Sequence, residues 1–362
     1  MGAGEASELT STDLMAFALH YVIEEVAQVV TPDISAIGGS IRRTEEFNAL
    51  VETRNGDNYN IVLYEGVLIS LEAAIKGFDS GALYEEISDL AQEHAIDRER
   101  FRQVLLVHAL LFVVLHEYGH IANGHFRKLL ARQKELGVQQ FSFDEISKKA
   151  FTLGYDKISN NSLEANALKF MELEADELAF SIMLGASSEV YYAISNFLEP
   201  HGSALSSTTA RAGIDNLAYY SACIALCSIE ATRNTSSRYP RPFTRIMNLI
   251  NVQIGTLLGG VIGEVTLDSH EKRNILSSTI HLCFSALDIA DAACSYLGVN
   301  LEDRFFPNTE GGVVATSLTD DAFIIMSGRH GPMFTEEGRQ LRELRSSRAK
   351  FASQMKPFRV RH

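Results

Sequence analysis

Residues 100–115 are apolar on nearly every side of a helical projection and contain no Pro or Gly, which predicts a helix enclosed by other elements rather than lying on a surface. Residues 161–185 predict a second helix. It opens with Asn161 and Glu164 at capping-box spacing, continues through good helix formers and closes on Gly185. On one face of it Ala165, Leu168, Ala175 and Ala179 share positions with Glu172 and Asp176, so these two carboxylates are expected to point inward. Residues 12–30 form an amphipathic helix stopped at Thr31-Pro32, and residues 81–95 read as another helix. Residues 48–53 and 59–64 have strand composition and flank Asn55-Gly56, the signature of a β-hairpin. A polar stretch over residues 132–140, continuing to 154, separates the two central helices and is expected to border a cleft. Residues 304–312 read as a loop, and residues 335–345 as a helix beyond it. The pattern is α+β and mostly helical, with a small N-terminal antiparallel sheet and a helical C-terminal subdomain. It divides into a mixed segment at 1–98, a helical core at 99–303 and a C-terminal loop and basic helix at 304–362.

Composition narrows this picture. A chain of 362 residues that is 46% apolar buries one large core or two modest ones. The first eight residues carry no positive side chain and precede no signal-type apolar core. The apolar runs at 104–115 and 254–265 are broken by His108 and rich in Gly respectively, so both are expected to be buried helices rather than membrane spans. The expected location is cytoplasmic. Cys223, Cys227, Cys283 and Cys294 lie in apolar helical segments and read as core thiols. The net charge is −14, yet residues 329–362 hold nine Lys or Arg against three Glu, which leaves −20 on the remainder. That basic segment either docks on the acidic body or binds nucleic acid or an acidic partner; the acidic body argues against nucleic acid as the main substrate.

The chemistry sits on the two central helices. In His116-Glu117-Tyr118-Gly119-His120 the histidines are four apart, so two neutral imidazoles share one helix face and can share one tetrahedral ion. Glu117 beside them is the candidate general base. A third metal ligand is needed, and Glu172 is the candidate. Asp176, one turn on, is placed to accept a hydrogen bond from a ligating imidazole and fix its tautomer. Glu174 and Glu177 face elsewhere on that helix and are expected to be solvated. His125 is expected to be a structural hydrogen-bonding residue, and His108 and His281 to be satisfied core histidines.

These motifs resemble the gluzincin metallopeptidases, and the pattern is similar to the M48-type peptidases. Members commonly carry a further His five residues after the H-E-x-x-H motif, as His125 does here, and take the third ligand from an E-x-x-x-D helix, matched by Glu172 and Asp176. A His-Pro dipeptide followed by Arg-Ile has its counterpart in Tyr239-Pro240-Arg241-Pro242-Phe243-Thr244-Arg245-Ile246. Tyr239 stands where the family has the oxyanion-stabilising His; its phenol could donate the same hydrogen bond, and His201, Tyr191, Tyr219 and Tyr220 are alternatives. The resemblance spans residues 104–250. The hairpin ahead of the first motif is similar to the layout of soluble Lit-type phage-exclusion peptidases and, more loosely, of ImmA/IrrE-type regulatory peptidases. The resemblance implies a zincin-like fold in which a sheet edge pairs with an extended peptide.

The expectation is therefore a cytoplasmic zinc metalloendopeptidase. His116, His120 and Glu172 hold Zn2+, Glu117 is the base, Asp176 orients a ligand and Tyr239 steadies the oxyanion. Its partners are a protein or peptide substrate and a regulatory protein, with no membrane. One alternative keeps the metal but cleaves another amide bond in a regulatory or defence setting. A second is a catalytically silent zinc protein, its site closed by His125 or a loop, that acts as an interaction module.

Overall fold

The computed structural model describes residues 9–31, 33, 34, 36–53, 57–76, 98–136, 167–198, 210–232, 240, 244–246, 248, 249, 252 and 336–359. The chain enters through α1 (Ser11–His20), a π-helical turn (Tyr21–Val26) and α2 (Ala27–Val30). Thr10 caps α1 through a capping box: its hydroxyl accepts from Asp13 N–H, while its own N–H donates to the Asp13 carboxylate. Leu14, Met15, Ala18, Leu19 and Val22 face the core from this run.

Three strands follow, β1 (Ala36–Arg42), β2 (Ala49–Thr53) and β3 (Asn58–Tyr64), in the order β1-β3-β2. The expected hairpin is present: β2 pairs antiparallel with β3, Val51 opposite Ile61. Its turn residues, 54–56, lie outside the described residues. The sheet is nonetheless mixed, and this corrects the antiparallel expectation. β1 runs parallel to β3, with Ile37 opposite Tyr59 and Ile41 opposite Leu63. Its Ala-Ile-Gly-Gly-Ser-Ile-Arg sequence hides the strand, because two glycines blunt the alternation. Gly39 has a reason to be there: a Cβ on it would come within 2.9 Å of Ile23 Cδ1, so the missing side chain lets β1 lie against the first helical run. In β3 the pleat sends Tyr59, Ile61 and Leu63 into the main core, while Val62 and Tyr64 meet Leu50 on the opposite face.

α3 (Glu65–Lys76) leads away from the sheet, and the chain is next described in α4 (Arg98–Ala122). α4 is the axis of the fold. It packs against α3, β2, β3, α6 (Ala167–Gly185), α7 (Ser187–Leu198) and α8 (Ala210–Thr232). Enclosure on every side explains its all-round apolar sequence. Residues Arg102–Ala122 are long and apolar enough to cross a membrane, but the whole apolar window is buried inside the fold. His108 is a satisfied core histidine: its Nδ1 lies 2.8 Å from Val104 O, and burial brings its pKa down to about 4. Cys223 and Cys227 are buried in the core on α8, as expected.

At its C-terminal end α4 makes two close approaches that only glycine permits. A Cβ on Gly119 would lie 2.9 Å from both Cα and O of Ala175, so α4 and α6 touch backbone to backbone there. Gly124, with φ +72°, takes the left-handed conformation that ends α4 and starts α5 (His125–Leu136). The polar stretch is therefore helical up to Leu136. In α6 the described helix begins at Ala167, so the expected cap at Asn161 and Glu164 lies outside the described residues, as do residues 81–95, 254–265, His281, Cys283 and Cys294.

The basic C-terminal segment forms α9 (Glu336–Met355), longer than the sequence suggests, and docks on α6. Leu344, Phe351 and Met355 form a second small core with Leu129, Phe170, Met171 and Leu173. Phe351 stacks on Phe170 at 4.8 Å, and the Lys128 ammonium sits 4.5 Å from the centre of the Phe351 ring.

Candidate metal centre

The Gly119–Ala175 contact sets the site. With α4 and α6 touching there, the histidines one residue after and three residues before Gly119 face the carboxylates three residues before and one residue after Ala175. The Nε2 atoms of His116 and His120 are 3.2 Å apart; Glu172 places Oε2 3.5 Å from His116 Nε2 and Oε1 3.7 Å from His120 Nε2. One ligand atom from each of the three residues lies within 4.8 Å of the others, and all three side chains are buried.

Three Lewis bases facing one another in a buried cluster repel unless a cation lies among them. In the metal-free protein a proton on His116 does this work. Burial opposes its charge, but the hydrogen bond and charge of Asp176, followed by those of Glu172, raise its pKa to about 9. His120 is held far below its usual value, mainly by burial, and stays neutral. Burial also opposes the charge of Glu172, yet His116, His120 and Arg245 keep its carboxyl ionised, below the usual range. The donor set fits a metal: tetrahedral zinc with ligands at about 2.0–2.2 Å separates them by roughly 3.4 Å.

Each imidazole is oriented from behind. His116 Nδ1–H donates to Asp176 Oδ1 at 2.8 Å, the partnership expected for Asp176. Asp176 is fully buried and accepts two hydrogen bonds from Arg245, from Nε and from an Nη, each at 2.6 Å. Burial would raise the Asp176 pKa, but Arg245 first and His116 second hold it below the usual range. In turn Asp176, Glu172 and Glu117 keep the buried Arg245 firmly protonated. Glu117 itself is buried, 8% exposed, beside this cluster.

Behind His120 stands His125, whose Nδ1 is 2.9 Å from His120 Nδ1. His125 thus backs His120 from the side opposite the paired Nε2 atoms, the structural hydrogen-bonding role expected of it, and lies outside the three-residue cluster. Its Nε2 lies 3.3 Å from Glu174 Oε2. Here an expectation fails: Glu174 is not solvated but buried, 6% exposed, and also accepts from Arg359 at 2.7 Å. Glu177 is engaged too, by Asn248 at 2.9 Å and by both Nη atoms of Arg348. Helical periodicity rightly turned both acids away from the Glu172 face, but could not show that α5 and the C-terminal segment cover the faces they occupy.

Tyr239 and His201 lie outside the described residues. The alternatives Tyr191, Tyr219 and Tyr220 are buried in the main core, Tyr191 against His108 and Tyr219 against Phe180. Arg245, of the Arg-Ile pair, and Arg359 are site residues with no role evident in the sequence. For Arg245 the available signal is its place five residues after Pro240; for Arg359 nothing local announces a contact with Glu174, 185 residues away.

Residues 85–255, just under half of the chain, match the family model of peptidase U49, a stretch that contains His116, Glu117, His120, Glu172, Asp176 and Arg245. The match supports a peptidase, a hydrolase of peptide bonds. Comparison with curated proteins and with solved structures returned no match.

Proposed function

We propose that this protein is a zinc-dependent metalloendopeptidase of the gluzincin type that cleaves a protein substrate in the cytoplasm. The observation that carries the reading is the convergence of His116 Nε2, His120 Nε2 and the Glu172 carboxylate in a buried cluster, within a stretch similar to a peptidase family. Two imidazoles and one carboxylate are a donor set of catalytic zinc sites, and three protein ligands leave a position for substrate chemistry.

His116, His120 and Glu172 would hold the ion, which when bound polarises a carbonyl oxygen and makes a water acidic near neutral pH. The protein's own residues do the rest. Asp176 accepts a hydrogen bond from His116 Nδ1–H and so leaves the Nε2 lone pair facing His120 and Glu172, while Arg245 keeps Asp176 ionised. Glu117, adjacent to His116 in the same turn, takes the proton of the attacking water on its carboxylate and delivers it to the leaving amine. Tyr239 is assigned as the hydrogen-bond donor to the developing oxyanion. β2 packs against α4 and pairs only with β3 among the described residues, so its other edge is the one we assign to an extended peptide segment.

Two variants test this reading. Glu117→Gln is expected to retain one zinc per chain by mass spectrometry and lose at least about a hundredfold in peptide cleavage, in line with loss of a general base. Glu172→Ala is expected to lose the zinc. Zinc content indifferent to Glu172, or undiminished cleavage by Glu117→Gln, would refute the assignment.

A further inference from the structure

The hydrogen-bond directions behind His120 lead to the C-terminal segment. Resting on the metal site proposed above, His120 must present its Nε2 lone pair to the ion, since that atom faces His116 Nε2 and Glu172. A neutral imidazole with a free Nε2 carries its proton on Nδ1. That proton points at His125 Nδ1, 2.9 Å away, which must then be the acceptor. His125 is left with its proton on Nε2, which faces Glu174 Oε2 at 3.3 Å. The other oxygen of Glu174 accepts from Arg359 at 2.7 Å. Each link forces the next, and the chain terminates on a permanent cation.

We propose that Arg359 is a positioning residue of the metal centre, acting through Glu174 and His125 to fix the tautomer and orientation of His120. The two ligand histidines are then supported alike. His116 leans on Asp176 and Arg245, and His120 leans on Glu174 and Arg359 with His125 inserted as a spacer. The seat of Arg359 is built into the end of the metal helix. Gly124 has no side chain where a Cβ would lie 1.9 Å from Phe358 O, and Phe358 packs on the small core that α9 shares with α6. The C-terminal segment thereby completes the site.

Arg348 provides an internal control, because it ties α9, the helix just ahead of Arg359, to the same helix α6 through Glu177, a carboxylate that does not reach the histidines. Zinc dissociation constants would be measured by chelator competition on full-length wild type, His125→Phe, Arg359→Ala, Arg359→Lys and Arg348→Ala, together with the visible spectrum of each cobalt-substituted protein. His125→Phe should weaken zinc about 10- to 100-fold, the usual effect of losing a ligand's outer partner. Arg359→Ala should weaken it about 3- to 10-fold and shift the cobalt bands, with Arg359→Lys recovering most of the loss and Arg348→Ala within about twofold of wild type. Unchanged affinity and spectrum in Arg359→Ala, with Glu172→Ala still losing zinc, would overturn the relay and leave the peptidase reading standing. Equal losses in Arg359→Ala and Arg348→Ala would also overturn it, by assigning the effect to helix docking. A wild type that binds no zinc would refute the metal site and the relay with it.

Discussion

Gly119 and Ala175 touch through their backbones, and that contact sets how closely His116 and His120 face Glu172. A methyl group on Gly119 would sit 2.9 Å from Ala175 Cα and O, a separation that real Cβ atoms do not adopt. Gly119→Ala must therefore push α4 and α6 apart at the level of His116, His120 and Glu172. The expected outcome is an overpacking cost of about 1–3 kcal/mol in chemical denaturation and zinc affinity lower by at least about tenfold. Ala at this position with native affinity would show that the ligands do not depend on the contact.

Zinc binding should strengthen as pH rises. The His116 pKa of about 9 lies above its reference of 6.5, so in the metal-free protein its contacts with Asp176 and Glu172 stabilise fully below pH 6.5 and fade as pH climbs through 9. The ion requires the neutral imidazole and must displace that proton. Over the same interval zinc affinity should therefore increase, by up to about tenfold per pH unit for one proton released, while the metal-free protein loses stability. Calorimetric titrations at pH 7 and pH 9 in buffers of different ionisation enthalpy would measure the proton count.

Arg245→Met should be more damaging than the paired change Arg245→Met with Asp176→Asn. The single variant strands the fully buried Asp176 carboxylate and is expected to cost about 3–5 kcal/mol. Removing that charge as well should recover part of the stability, yet zinc affinity should stay low because an amide is a weaker acceptor for His116 Nδ1–H. Denaturant melts and chelator competition on the same samples separate the two effects.

At Gly124, conformation and space can be told apart. Asn tolerates a φ of +72° better than Ala does, but any Cβ meets Phe358 O. Collision predicts that Gly124→Asn and Gly124→Ala both expose the chain around residues 356–359 to limited proteolysis. Strain alone predicts that Asn is the milder change.

Much of this site is written in the sequence. The i, i+4 spacing of His116 and His120, and of Glu172 and Asp176, fixes which side chains share a helix face, because helical periodicity is a local property of the backbone. Apolar positions around α4 likewise require enclosure, whatever encloses it. The antiparallel pairing of β2 with β3 was legible for the same reason.

What tertiary structure alone decided are the contacts between distant segments. β1 joined the sheet parallel to β3, with β2 intervening between them in sequence, and its glycines carried no strand signal. Glu174 was expected in solvent on helix geometry, and became buried because α5 brings His125 and the C-terminal segment brings Arg359 to its face. Local sequence determines which way a side chain points relative to its own helix; only packing determines what it meets there, and at this centre packing supplies the partners of both histidines.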